Sequence, residues 1–492
     1  MIRRLSVALL GAVVLSAPAA GAQQPGKIDP TKPPELGPPP QLHLPPVQTD
    51  TLANGIRLYV VEMHEVPLVQ WVLSVDGGGR LDDSVAGLAS FTANMLDEGA
   101  DTLDAFGIAA QAEYLGASLR TGADWDDISI SLKVPTRTMA PALDLLKSVA
   151  LDPNFHSADV ERQRNLRLAG ILQAQAQPAA VARVVSDALL YPAGHPYHVS
   201  LGGDSASTVK LDSAMVRQFY QRTFRPDHAE LIVTGDITLA QARGAAQRVF
   251  GQWRAPAGPA EPAAPSASSL PAPWHGNTTV YLVDKPGAAQ SVILIGAPGV
   301  SRLSPDYYAI EVMNTILGGS FSSRINQNLR ETHGYSYGAG SGFSYRPLPG
   351  PWVASSAVRT DVTDSSLVEL FREFRRIRDS AVTPTELTRA KSYIALGLGS
   401  EFETTSEMAG QIADLLQFGL PLNYYNDYTN RIMAVTREQV QRAAQQYLQP
   451  DHLAVVVVGD VAKIRPGIEA LHLGPIELRD VHGNPASAGG SR

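Results

Sequence analysis

Two stretches of this chain, set 224 residues apart, are near copies of one another. Gln221 to Asp236 reads QRTFRPDHAELIVTGD and Gln445 to Asp460 reads QQYLQPDHLAVVVVGD, with seven of sixteen positions identical and no gap. Each follows an amphipathic helical pattern, Ser213 to Tyr220 and Arg437 to Tyr447, and passes through a Pro-Asp-His turn into a β-branched run that stops at Gly-Asp. A helix, turn, strand and turn repeated in this way predict two equivalent halves. His228 and His452 hold the same place in the two turns, which favours a turn-stabilising role over a ligand role for both. Strand-like runs come first in each half (Val60 to Val75, Val280 to Ala297) and helical patterns follow (Leu143 to Ala150, Ser366 to Ser380). That order predicts an α+β chain in which each half is a mostly antiparallel or mixed sheet with helices packed on it.

The 492 residues are enough for two such halves with full cores. A formal charge of −8 with no Lys/Arg run argues against nucleic acid or an anionic membrane surface as a partner. The chain has no cysteine, so disulfides and thiolate metal sites are excluded. Residues 1–22 read as a cleavable secretory signal: Arg3 and Arg4, a short apolar run from Leu5 to Leu15, then Ala20-Gly21-Ala22 before the cut. The apolar run is too short to span a bilayer, and the mature chain is expected in the periplasm with no membrane span. Residues 23–47 form a proline-rich lead expected to be disordered. The first half then covers 48–254, a Pro/Ala-rich linker 255–274, the second half 275–480 and a flexible tail 481–492.

Gly87 to Ala100, GLASFTANMLDEGA, reads as a short helix with Val85, Leu88, Phe91, Met95 and Leu96 on a buried stripe and Ser90, Ala93 and Asn94 on the other face. It resembles the active-site helix of the pitrilysin/insulinase (inverzincin) zinc metallopeptidases, G-L-A-H-F-x-E-H-M. Gly87, Leu88, Ala89, Phe91 and Met95 match, but the two His positions are Ser90 and Asn94, and the general-base Glu position is Ala93. The family's third ligand is a Glu in a helix resembling I-E-R-E-R-x-V-I-L-x-E-I. Aligning Val160 to Ile171, VERQRNLRLAGI, places Gly170 there. A catalytic zinc takes three protein ligands and keeps one position open; a hydroxyl, an amide, a methyl and a hydrogen do not supply them. No metal or other cofactor is therefore expected in this chain. Asp97 and Glu98 lie close by, and His195 and His198 sit in a GHPYH loop that resembles a structural loop of the family; neither pair is read as a replacement site.

The second half keeps a different motif. Leu317 to Tyr337, LGGSFSSRINQNLRETHGYSY, resembles the family's L-G-G-x-x-S-S-R-L-x-x-x-L-R-E-x-x-G-L-x-Y. The resemblance implies that Arg330 and Tyr337 bind substrate backbone and stabilise the oxyanion, with Gly318 and Gly319 beside the substrate. Arg324 is read as structural and His333 as solvent-facing. Tyr335 stands where the family has Leu, so two tyrosines compete, and spacing favours Tyr337.

A chain with the Arg/Tyr pair and without the metal resembles the non-catalytic subunit of the mitochondrial-processing-peptidase-like heterodimers. The resemblance implies a partner subunit bearing H-x-x-E-H and zinc, with Arg330 and Tyr337 acting in trans on peptide or unfolded polypeptide. The Leu317 to Ser320 loop is shorter than that subfamily's glycine-rich loop, which weakens any inference about presequence-type substrates. An extended substrate would add a strand to a sheet edge. The alternative is a purely structural or peptide-binding protein of the same fold.

Overall fold

The computed structural model describes residues 42–82, 84–255 and 269–486. The leader, residues 23–41 of the proline-rich lead, most of the linker and the last six residues lie outside the described residues. In the first half, β1 (Gln48–Thr51), β2 (Arg57–Glu62) and β3 (Leu68–Asp76) are followed by a two-residue ladder, β4 (Gly99–Ala100) and β5 (Leu103–Asp104). Then come β6 (Ser118–Ala123), β7 (Asp127–Pro135) and β8 (Ala229–Gly235). The second half contains β9 (Thr279–Asp284), β10 (Gln290–Pro298), β11 (Ser336–Phe343), β12 (Pro351–Arg359), β13 (Ala454–Gly459) and β14 (Ile476–Arg479).

The repeat in sequence is a repeat in topology. One sheet runs β1-β2-β8-β3-β7-β6 and the other β11-β12-β10-β13-β9-β14. In each, the first long strand pairs parallel with the β-branched repeat strand (β2 with β8, β9 with β13), and the next three pairings are antiparallel. The halves differ at one edge, where β1 joins antiparallel from upstream and β14 parallel from downstream. The expected mixed α+β halves are therefore present.

Strand composition follows burial. Ile128, Ile130, Leu132 and Val134 of β7 are fully buried and alternate with less buried polar neighbours, as one covered face requires. The all-apolar run of β13 is buried at every position because helices cover that strand on both faces. The second cover is exchanged between halves. Helix Pro178–Leu190 of the first half lays Val181, Ala182 and Val185 on Leu294, Val456 and Val458 of the second sheet. Reciprocally, helix Thr405–Gln417 lies on the first sheet, where Thr234 Oγ1 donates to Thr405 O (2.6 Å) and Ser406 Oγ to Gln70 Oε1 (3.0 Å). Small side chains beneath that helix leave a groove of about 770 Å³ lined by Ser129, Ser131, Arg120, Ser406, Ala413 and Asp414, with β6 along it.

Residues 481–486, assigned by the sequence to the tail, turn back onto β14, with Ala486 N donating to Leu478 O (3.0 Å) and Val481 packed on the exchanged helix cluster. Among the described residues no helix is long and apolar enough to cross a membrane.

Candidate functional site

The degenerate segment forms helix Leu88–Met95. Gly87 caps it at φ +89°, and a Cβ there would meet the Gly202 carbonyl at 2.7 Å, so glycine is required twice over. The Asp82 carboxylate accepts from Gly87 N and Ala89 N, both at 2.6 Å, and closes the helix N-terminus. Val85, Leu88, Phe91, Met95 and Leu96 are buried, as the periodicity predicts. Ala93 is also fully buried, so the general-base position has been absorbed into the core rather than left facing an opening. Ser90 is half-buried and Asn94 exposed. Gly170 lies exposed on helix Ser157–Gln175, and a Cβ there would meet nothing within 4 Å.

The sequence reading missed Arg167, which joins these positions. Its Nη1 donates to Gly87 O (3.0 Å), Ser90 Oγ (3.1 Å) and Gly202 O (3.2 Å). With the Asn94 amide turned to satisfy its neighbours, Nη2 donates to the Asn94 oxygen at 3.2 Å. The guanidinium also lies over the Phe91 ring, 4.9 Å from its centroid. Burial pushes the Arg167 pKa down to about 10, partly opposed by the Asp82 charge, and it remains a cation at neutral pH. Both former His positions thus bond to a guanidinium that pins one helix to the other, a cross-link a metal would otherwise make. The available signal was spacing: Arg167 stands three residues before Gly170, one turn away on the same helix face.

The residues at the four positions do not fit zinc. Among the described residues there is no group of three His, Asp or Glu side chains that could hold a metal ion. Thr121 Oγ1 donates to Asp97 (3.3 Å), and Arg162 and Gln163 both hold the Glu98 carboxylate. His195 Nδ1 accepts from Tyr197 N (3.1 Å), and burial beside Arg346 and His198 drives its pKa down to about 4. His198 Nδ1 donates to Tyr191 O (2.6 Å), so that loop is tied to its own backbone.

In the second half, the motif's helix closes as a π-helical turn, Gln327–Thr332. Gly334 then reverses the chain at φ +62°, and β11 begins at Ser336. Buried Asn328 donates to Glu369 (2.8 Å) and Glu373 (3.0 Å), which anchors the wide turn. Arg330 and Tyr337 are brought together, with the guanidinium carbon 5.0 Å from the Tyr337 ring centroid and 4.6 Å from that of Phe321. Arg330 Nε pairs with Glu331 at 3.2 Å, and its two terminal nitrogens have no bonded partner among the described residues. Tyr337 is 89 % exposed. Tyr335 instead stacks on His333 (4.9 Å between centroids) and packs against the second core, so the geometry gives the Arg330 contact to Tyr337.

Arg324 is structural. It is buried in a two-pronged bond to Glu386 (2.7 and 3.0 Å); burial would raise the Glu386 pKa, but the bonds from Arg324 and Thr383 prevail and hold it down to about 2. Gly318 allows the end of helix Tyr307–Leu317 to touch β11, since a Cβ there would overlap Ser341, and Gly319 lets the chain fold back on that helix, since a Cβ there would meet Asn314 at 2.9 Å. Their glycine identity therefore has a packing cause independent of any ligand. No hydrogen bond or ion pair among the described residues joins the Arg330 group to the Ser90–Asn94 face.

A two-sheet fold whose helix carries Ser90, Ala93 and Asn94, two of them bonded to Arg167, defines a peptidase-like protein whose ligand positions do not fit zinc. The chain belongs to the insulinase (M16) family: residues 59–199 match the description "Insulinase (Peptidase family M16)" and residues 210–394 "Peptidase M16 inactive domain". Similar proteins include the non-peptidase homolog YmxG of Helicobacter pylori, 25% identical over 82% of this chain and 91% of that one. The mitochondrial-processing peptidase subunit beta of Lentinula edodes is 22% identical over 84% and 90%. Among solved structures, a peptidase M16 inactive domain from Pseudomonas fluorescens superposes with a TM-score of 0.77 at 28% identity, covering 84% of this chain and 98% of that one.

Proposed function

We propose that this chain is the non-catalytic member of a two-chain peptidase assembly in the periplasm, presenting Arg330 and Tyr337 to an extended peptide that a second, zinc-bearing chain of the family cleaves. The observation that carries the reading is the contact of exposed Tyr337 with half-buried Arg330, whose guanidinium and hydroxyl donors are open, on a chain whose two former His positions are bonded to Arg167. A Tyr hydroxyl donates to a developing oxyanion, and an Arg fork orients backbone carbonyls or a carboxylate. The names of two relatives, one a non-peptidase homolog and one a subunit of a peptidase, support the reading.

The two sheets differ as receivers of an extended strand. On β11, Ala339 N is taken by Asn326 Oδ1 (3.1 Å) and Ser341 N by Gly318 O (3.1 Å), so that edge is occupied. On β6, the edge away from β7 has no backbone partner among the described residues. β6 is therefore the edge on which a peptide gains backbone hydrogen bonds in this reading.

The test is co-expression with a zinc-bearing family member encoded in the same genome, followed by cleavage of an unfolded polypeptide by the purified complex. Tyr337→Phe is expected to lower turnover by about 10²–10³, the usual cost of one oxyanion donor, with assembly intact on gel filtration. Unchanged turnover in both Tyr337→Phe and Arg330→Ala would leave the purely structural or peptide-binding role as the correct one.

A further inference from the structure

We propose that Phe321 is the specificity-determining residue of this site, receiving a large apolar or aromatic side chain of the peptide next to the residue whose backbone Arg330 holds. The inference rests on the peptide-contacting reading above and adds a side-chain preference to it.

The loop that carries Phe321 is fixed at almost every residue except for that ring. Ser323 N donates to Ser320 O (3.0 Å), Asn326 Nδ2 to Phe321 O (2.6 Å) and Arg389 Nη2 to Ser322 O (3.2 Å), while Arg324 is locked to Glu386. The ring itself stays out of the core and is 62 % exposed. A large apolar side chain on a loop held this tightly adds nothing to the core, and its exposure in water is unfavourable. Among the described residues, the Arg330 guanidinium lies over one face of the ring, 4.6 Å from its centroid, and most of the ring surface stays open. The backbone that carries the ring is held by those bonds, so little loop freedom is lost when the ring is covered.

Phe321 and Tyr337 both touch the guanidinium of Arg330, so a backbone group bound to the open Arg330 nitrogens has aromatic surface beside it. Unfolded polypeptide is the source of such ligands, because its large apolar side chains are not yet buried. A second aromatic ring placed against Phe321 gains the offset or edge-to-face contact that such pairs prefer.

The test uses the full chain and two unstructured twelve-residue peptides with blocked termini and a fluorescent label, identical except for a central Phe or Ala. Fluorescence anisotropy is read for wild type, Phe321→Ala, Phe321→Leu and Arg330→Gln. Wild type is expected to prefer the Phe peptide roughly tenfold. Phe321→Ala should abolish that preference while leaving the Ala peptide nearly unchanged, Phe321→Leu should restore part of it, and Arg330→Gln should weaken both peptides alike. Equal binding of both peptides by wild type, or equal weakening of both by Phe321→Ala, would overturn the role of Phe321 and leave the Arg330–Tyr337 reading standing. Failure of wild type to bind either peptide, both alone and in the complex with its zinc-bearing partner, would overturn that reading and this inference with it. Thermal melting of Phe321→Ala checks folding, and no shift is expected for a ring this exposed.

Discussion

Replacing Arg167 tests whether an arginine has taken over the cross-linking role of a metal. Burial holds the Arg167 pKa well below the usual guanidinium range, at about 10, which corresponds to a desolvation cost of about 3 kcal/mol. Against that stand its bonds to Gly87 O, Ser90 Oγ, Gly202 O and the Asn94 amide, and the Phe91 ring. Three of the four acceptors share one nitrogen, so about three effective charge-assisted bonds at ~1.5 kcal/mol each are counted, with ~0.5 kcal/mol for the ring. The net is about 2 kcal/mol in favour of the native arrangement. Arg167→Met keeps an apolar side chain of similar reach and removes both cost and gain, so it should lower stability by about 2 kcal/mol, or Tm by ~4–8 °C for a half of this size. Arg167→Lys keeps the charge and loses the planar fork, and should be less stable than Arg167→Met. Urea titration with an unchanged m-value is the assay. A Met variant as stable as wild type would mean that burial cost cancels the bonds; a Lys variant equal to wild type would mean that fork geometry does not hold the helices.

Two further outcomes follow from the same structure. Restoring the ligands as Ser90→His, Ala93→Glu, Asn94→His and Gly170→Glu should give no stoichiometric zinc by metal analysis while Arg167 remains, and one zinc per chain when Arg167→Leu is added; tight binding with Arg167 present would show that its charge does not exclude the metal. At the contact between the halves, burial and the neighbouring Asp124 raise Asp127 to about 8, and burial, opposed by Arg80, leaves Asp126 at about 6. Ser74, Asp76 and Gln417 complete the surroundings. Both carboxyls bind protons more tightly in the fold than in the unfolded chain, so their contribution is complete below about pH 4 and is lost as pH rises through both values. Tm should therefore be higher at pH 5.5 than at 8.5, and Asp127→Asn should remove most of the difference; a wild-type Tm that rises over that interval would refute the assignment.

Much of the architecture was legible because its signals are local. The β-branched runs, the Pro-Asp-His turns and the helical periodicities each occupy fewer than two dozen consecutive residues, and their repetition 224 residues apart revealed the two halves directly. The replacement of the ligand residue types at Ser90, Ala93, Asn94 and Gly170 was legible for the same reason, since a ligand is a residue type at a spacing. Phe321 was not, because it stands at a motif position that carries no signal of its own. The burial of Ala93 was not either: helical periodicity put it on the face opposite the apolar stripe, but packing covers that part of the helix as well.

By itself, the sequence determined that the chain has two equivalent α+β halves, that Ser90, Ala93, Asn94 and Gly170 stand where a zinc site would be, and that Arg330 and Tyr337 are seven residues apart. Only the tertiary structure decided that each half lends the other a covering helix, that Arg167 bonds both former His positions, that the β11 edge is filled while β6 is open, and that Arg330 meets Tyr337 and Phe321. Those outcomes depend on how distant surfaces dock, and docking is set by volume, desolvation and the pairing of buried polar groups across the whole chain. None of these has a period or a spacing that a linear reading detects.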